Sequence, residues 1–262
     1  MSLVQLAGVS KVFRSLKGTD YTAVRDFSLE IQQGEFFCLL GTSGCGKTTV
    51  LNMVAGFEPS TTGTISIAGR PIVGPAADRG VVFQGDDSLY GWLTALGNVE
   101  FGLRMRGIPA AERQQKAHQY LELVGLKGQD HKHPSELSGG MKQRIQIARV
   151  LANEPEMLLM DEPFAALDAH TRADMQRELK RICGTTAKTV LFITHDIDEA
   201  IILADRIGVM HAGPASKLKG IVEVRLSEAE RERTHDRFVE VYRQVHAMIR
   251  DEVAISLQRS LA

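Results

Sequence analysis

Hydrophobic positions change rhythm three times along this chain. Over residues 3–84 they alternate or gather in short runs, so that 3–13, 21–31, 35–40, 64–67 and 80–83 read as strands. Turn clusters such as Lys17-Gly-Thr-Asp20 and Pro59-Ser-Thr-Thr-Gly63 punctuate them, and 48–55 reads as a helix. From about 86 to 154 the strands disappear. Residues 98–106, 110–124 and 139–152 read as helices, and Pro109 suits a first helical turn. From 157 onward strands (157–160, 189–193, 206–210, 221–224) alternate with helices (171–183, 197–204). That alternation predicts a mainly parallel sheet covered by helices, and makes the middle region a helical insertion into an α/β core. The expected segments are 1–85 with 155–226 for the core, 86–154 for the insertion and 227–262 for a C-terminal extension.

Residues 227–257 read mostly as one amphipathic helix, because Phe238, Tyr242, Val245 and Ile249 step by four, three and four. Arg231, Arg233, Arg237 and Arg243 are balanced by Glu228, Glu230, Glu232 and Glu240, which does not favour a membrane-surface helix. The plain reading is a helix packed on its own domain; a dimer or regulatory contact is the alternative.

Composition narrows the classes. The 262 residues give ample length for a core, and a net charge of −1 argues against a nucleic-acid-coating surface. No apolar run approaches the roughly 20 residues of a membrane span. The first residues show no basic region followed by an apolar stretch, so the chain is expected to stay in the cytosol. Cys38, Cys45 and Cys183 form no metal-ligand or C-x-x-C spacing. Cys45 precedes a helix, a position that lowers thiol pKa and predicts an alkylation target.

The densest chemistry lies at Gly41-Thr-Ser-Gly-Cys-Gly-Lys-Thr48, a full match to G-x-x-x-x-G-K-[ST] between an apolar strand and a helix. Gly41, Gly44 and Gly46 let the backbone curl into an anion nest, and the helix adds its positive end. Lys47 supplies a charge for the β- and γ-phosphates and Thr48 a hydroxyl for Mg²⁺. Four further elements belong with it. An apolar strand ends in Asp161-Glu162: the first carboxylate can hold Mg²⁺, the second can align or deprotonate water. Val81-Val-Phe-Gln84 ends in a glutamine whose carbonyl can ligate Mg²⁺ or orient water. Leu191-Phe-Ile-Thr-His195 ends in an imidazole able to hydrogen-bond a γ-phosphate. Leu137-Ser-Gly-Gly-Met141 opens a helix, either as a second anion-binding terminus or as an ordinary cap by Ser138.

Together and in this order, these elements resemble the ATP-binding subunits of ABC transporters, over essentially the whole chain. The resemblance implies an ABC-type P-loop ATPase: a mainly parallel α/β core with an antiparallel β region, and an inserted helical subdomain. It implies ATP and Mg²⁺ as cofactors. Gly41, Thr42, Ser43, Gly44, Cys45, Gly46, Lys47, Thr48 and Thr49 would line the phosphates, with Phe13 against the adenine. Gln84 corresponds to the Q-loop glutamine, Asp161 to the Walker B aspartate, Glu162 to the catalytic glutamate, Asp168 to the D-loop aspartate and His195 to the switch histidine. Thr48, Gln84 and Asp161 would serve the metal. Ser138, Gly139 and Gly140 correspond to the signature, which in this family completes the ATP site of a second copy. The implied assembly is a homodimer with ATP between its subunits, bound to a two-copy permease on the cytoplasmic face of the membrane, with a substrate-binding protein outside and no nucleic acid. The stretches Gly74-Pro-Ala-Ala-Asp-Arg-Gly-Val-Val-Phe-Gln84, Trp92-Leu-Thr94, Asp161-Glu-Pro-Phe-Ala-Ala-Leu-Asp168 and Thr194-His-Asp-Ile-Asp-Glu-Ala200 are similar to importers of the nitrate, sulfonate and taurine group, the first most of all to taurine subunits. Departures are Met141 where glutamine is commoner, Gly91 where proline is usual and Ala165 where glycine is usual.

Overall fold

The computed structural model describes residues 2–15, 18–83 and 88–260, with side chains as far as residue 255. Gln84 therefore lies outside the described residues. In chain order the elements are β1 (Ser2–Phe13), β2 (Tyr21–Gln32), β3 (Phe36–Leu40), α1 (Lys47–Ala55), β4 (Thr62–Ile67), β5 (Arg70–Pro71), β6 (Arg79–Val82), α2 (Ala95–Met105), α3 (Ala110–Leu123), α4 (Gly139–Leu151), β7 (Met157–Asp161), α5 (Ala169–Thr186), β8 (Thr189–Thr194), α6 (Ile197–Leu203), β9 (Arg206–Met210), β10 (Leu218–Glu223) and α7 (Asp236–Ser260). They divide into two compact units, Met1–Ala76 with Lys188–Ala262, and Ala77–Ala187.

In the first unit, β3 pairs in parallel with β8 and β9 along its two edges and is buried at all five positions, so both its faces are covered, α6 packing on it directly. A strand enclosed in this way cannot alternate, which explains the unbroken apolar run Phe36-Phe-Cys-Leu-Leu40. β10 adds an antiparallel edge to β9. A separate antiparallel sheet runs in the order β2-β1-β4-β5, and there burial alternates along β2 as one face meets the core. The tail packs on this unit through Phe238, Val245 and Ile249, all buried. It is not one continuous helix from 227. A short 3-10 turn, Ala229–Arg231, precedes α7. The break has a cause: the Arg231 guanidinium turns inward to the carbonyls of Ile201, Ile202 and Ala204, at 2.5, 3.1 and 3.0 Å, and closes the C-terminus of α6.

In the second unit, α2, α3 and α4 pack together beside the parallel pair β6–β7 and helix α5. It is wider than the 86–154 insertion read from the pattern. Glu156 and Met157 N–H groups both donate to the Asp78 carbonyl, at 2.8 and 3.1 Å. Gly80 lies so close to α4 that an added Cβ would fall 2.2 Å from Val150 Cγ1. The strands on either side of the helices are thus tied to them. α2 starts three residues earlier than its apolar spacing suggested, because the Thr94 side chain accepts the Gly97 N–H and caps it. Buried Asn98 accepts from Tyr90 N at 2.8 Å and donates to the Tyr90, Leu93 and Thr94 carbonyls, pinning the 90–94 turn to this helix.

Candidate nucleotide-binding site

β3 runs directly into the phosphate loop, and α1 begins at Lys47. Gly44 (φ +75°) and Gly46 (φ +100°) take left-handed conformations, which residues with a Cβ adopt only with strain. Gly46 is the residue from which α1 starts. Lys47 is buried and its Nζ donates to the Gly41 and Thr42 carbonyls at 2.8 and 3.1 Å. Thr42 Oγ1 is buried with no hydrogen-bond partner, a group whose burial costs free energy until something reaches it. Ser43 and Thr48 are exposed and Thr49 is half-buried. Cys45 corrects an expectation. It is wholly buried, and burial pushes its thiol up against the smaller downward pull of the Lys47 charge. The loop thiol is therefore neither acidic nor accessible.

Phe13 ends β1 opposite Tyr21 of β2, two residues before Ala23, whose carbonyl backs Gly46. An aromatic with 38% of its surface exposed thus stands near the loop, with Lys11 Nζ 4.9 Å from its ring centroid. His195 is exposed directly after β8. Its successor Asp196 caps α6 by accepting from Asp198 and Glu199 N–H groups at 2.8 and 3.2 Å, so the imidazole sits at a firmly terminated strand end.

The remaining site residues lie in the second unit. Asp161 closes β7, and Glu162 follows with φ +43°, a left-handed conformation for a residue with a full side chain. Strain of this kind persists where surrounding structure demands it and is characteristic of functional positions. Both carboxylates are half-buried. The Ser138 hydroxyl accepts from Met141 N at 3.3 Å and caps α4, and the residue is itself exposed. Gly140 is needed for space, since a Cβ there would meet Thr171 Cγ2 at 2.7 Å; Gly139 is exposed. Asp168 caps α5 by accepting from His170 and Thr171 N–H groups at 3.1 and 3.0 Å. Hydrogen bonds from Thr171, side chain and backbone, hold its carboxyl below the usual range.

The donors of the phosphate loop fit the phosphates of a nucleotide. The loop offers an unsatisfied hydroxyl and an ammonium to an anion. Among the described residues no cluster of three or more His, Cys, Asp or Glu could cage a metal. An exposed hydroxyl such as that of Thr48, beside phosphate and water, is a donor type that suits Mg²⁺. No helix of the described residues is long and apolar enough to cross a membrane.

A groove of about 380 Å³ lies within the second unit, walled by Arg79, Tyr90, Phe101, Arg106, Arg149 and Asn153 among others. Tyr90 packs on Phe101 and Trp92, with ring centroids 4.4 and 5.1 Å away, and Trp92 is 73% exposed. Of these aromatic residues the stretches quoted from the sequence include only Trp92. They do not mark Tyr90 or Arg149, whose guanidinium lies 5.4 Å from the Tyr90 ring and donates to the Ser88 carbonyl at 2.8 Å.

Comparison with known proteins agrees with this geometry. The sequence profile of the family described as ABC transporter matches residues 24–165. The nitrate import ATP-binding protein NrtD of Synechococcus elongatus is 44% identical, over 97% of this chain and 91% of its own. The bicarbonate transport ATP-binding protein CmpC of the same species is 47% identical over 86% of this chain, which spans only 34% of that longer protein. The taurine import ATP-binding protein TauB of Shigella boydii is 48% identical, over 75% of this chain and 77% of its own. Among solved structures, the ATP-binding cassette MJ0796, dimeric and bound to ADP and phosphate after hydrolysis, superposes with a TM-score of 0.73. It is 31% identical over 86% of this chain and all of that one. The chain belongs to the ABC transporter family, as an ATP-binding subunit with the ATPase cassette fold.

Proposed function

We propose that this chain is one of two identical ATPase subunits that drive import of a small organosulfonate, taurine first, through a separate two-copy permease. It would sit on the cytoplasmic face of the membrane, with a substrate-binding protein supplying the solute outside. In this reading Lys47 and the nest of the phosphate loop bind ATP, and Phe13 receives the adenine. Thr48, Asp161 and Gln84 would hold Mg²⁺, which when bound neutralises phosphate charge. Glu162 aligns the attacking water and takes its proton, and His195 hydrogen-bonds the γ-phosphate. The exposed 138–140 end of α4 completes the site of the other subunit, so that ATP joins the pair and hydrolysis releases it. The dimeric state of the MJ0796 cassette supports that assembly.

The observation that carries the cargo is the 48% identity to a taurine import subunit. A second reading, nitrate or bicarbonate, is favoured by matches that run over more of this chain. Growth of a deletion strain separates them. Taurine as sole sulfur source should fail to support the deletant and should support the complemented strain. Normal growth on taurine with lost growth on nitrate would overturn taurine and leave the ATPase reading intact.

A further inference from the structure

The C-terminal helix α7 reaches the underside of the phosphate loop through one short segment. Residues 211–216 follow β9. An added Cβ at Gly213 would fall 2.6 Å from the Gly44 carbonyl oxygen and 3.2 Å from Cys45 Cα, so this backbone lies directly against the loop. β2 holds one side of the segment: Ala215 N donates to the Thr22 carbonyl at 2.7 Å, and Arg25 N to the Ser216 carbonyl at 3.0 Å. The other side is held by Glu252 of α7. Its Oε2 accepts the Ala212 N–H at 2.8 Å, while its Oε1 meets Lys219 Nζ at 2.6 Å and His211 Nδ1 at 3.1 Å. Only 3% of Glu252 is exposed. Lys219 also donates to the Met248 carbonyl at 2.8 Å, so the ion pair is anchored to the helix backbone as well.

A carboxylate buried 40 residues from the backbone N–H it serves is not explained by packing of an amphipathic stripe. Phe238, Val245 and Ile249 already provide that packing. From this geometry we infer that Glu252 is a positioning residue for the phosphate loop: it sets the Ala212–Gly213 backbone against Gly44 and Cys45, and makes the C-terminal helix part of the nucleotide site. It touches no nucleotide itself. Its effect passes through the segment that backs the loop, so it should appear in nucleotide affinity and in the exposure of Cys45.

The full-length chain tests this with three readouts: ADP affinity by titration, Cys45 alkylation by a maleimide followed by peptide mapping, and melting temperature. Glu252→Ala should weaken ADP binding about fivefold, in keeping with one lost charge-assisted hydrogen bond, and should speed Cys45 alkylation to a similar degree. Glu252→Gln keeps an acceptor for the Ala212 N–H and should recover part of both. If Glu252→Ala does not fold, Gly213→Ala disturbs the same contact from the segment itself, and should weaken ADP binding with α7 intact. A lowered melting temperature with unchanged ADP affinity and unchanged Cys45 reactivity would overturn the inference and leave Glu252 as a fold-stabilising group only. The result does not depend on which solute is carried.

Discussion

Lys47 Nζ donates to the Gly41 carbonyl at 2.8 Å, so the ammonium already closes the phosphate loop from within. In the proposed reading the group that braces the loop is also the one offered to the phosphates. Lys47→Ala should therefore weaken ADP and ATP binding by at least about tenfold, the scale of losing a charge-assisted contact. Lys47→Arg should not restore it, because a planar fork does not replace a compact ammonium in so small a ring. Calorimetric titration checks both. Near-normal affinity in Lys47→Ala would remove the lysine from phosphate binding.

Glu162 stands in a left-handed conformation at the end of β7, and this gives two separable predictions. Glu162→Gln keeps the shape and should retain ATP while lowering hydrolysis at least about a hundredfold, as expected for loss of a general base. Glu162→Gly relieves the backbone and should match or exceed the wild type in stability, by up to roughly 1 kcal/mol, while losing hydrolysis as well. Phosphate release and urea unfolding report the two effects. Rapid turnover in the glutamine variant would place the base elsewhere.

How far the site could be read from sequence depends on the distance over which each feature is encoded. The loop at 41–48 is legible because its ligand-binding groups lie within eight neighbours, between an apolar strand and a helix. The enclosed strand β3 is legible for the same reason, as all five of its residues are apolar. The left-handed turn at Glu162 leaves no mark, since glutamate is not a residue that signals it. Cys45 was misread because its place before a helix argues for an acidic thiol, while burial, which decides the outcome, comes from Gly41 and the residues around it in space. The break in the tail was equally hidden. It arises where Arg231 meets carbonyls about thirty residues away, a contact that no periodicity records.

Assembly should respond to the same residues. The glutamine variant at 162 should dimerise on addition of ATP and separate with ADP, because it holds the nucleotide that joins the pair. Ser138→Arg fills the exposed end of α4 with a long cation and removes the cap on Met141 N–H. It should block dimerisation and leave ADP binding by the single chain within about twofold, since Ser138 serves the other copy's site in this reading. Light scattering with and without ATP decides it. Dimerisation of the arginine variant would remove residues 138–140 from the interface.

Acid should loosen the C-terminal helix in a defined direction. Burial alone would push the Glu252 carboxyl up. The hydrogen bond from Lys219, the Ala212 N–H and the charges of Lys219 and His211 outweigh it and hold the group below the usual glutamate range. A depressed folded value means that stability from this carboxylate is fully present above its unfolded value and is lost as pH falls through the folded one. The stability gap between wild type and Glu252→Gln should therefore be widest near neutrality and close below about pH 4. Urea unfolding at a series of pH values measures it. A gap that grows on acidification would contradict the assigned direction.

In the proposed assembly a permease helix should dock in the groove beside Tyr90. Its walls combine aromatic surface from Tyr90 and Phe101 with the Arg106 and Arg149 guanidiniums, and Trp92 stands 73% exposed beside it. A large exposed aromatic next to a lined hollow is the arrangement that anchors partner helices. Phe101 forms part of the wall as well as the packing of α2, so its removal would mix docking with folding. Trp92 is the cleaner probe, because little of its surface is committed to this chain. Trp92→Ala should leave the ATPase activity of the isolated subunit within about twofold, as befits an exposed substitution far from the phosphate loop in sequence. Solute uptake in cells should fall by about tenfold or more, the cost of losing one aromatic anchor. Arg149→Ala is expected to disturb both, since its guanidinium also ties Ser88 to α4. Measuring uptake and isolated ATPase activity on the same variants separates the two roles, and unimpaired uptake in Trp92→Ala would place the permease contact on another surface.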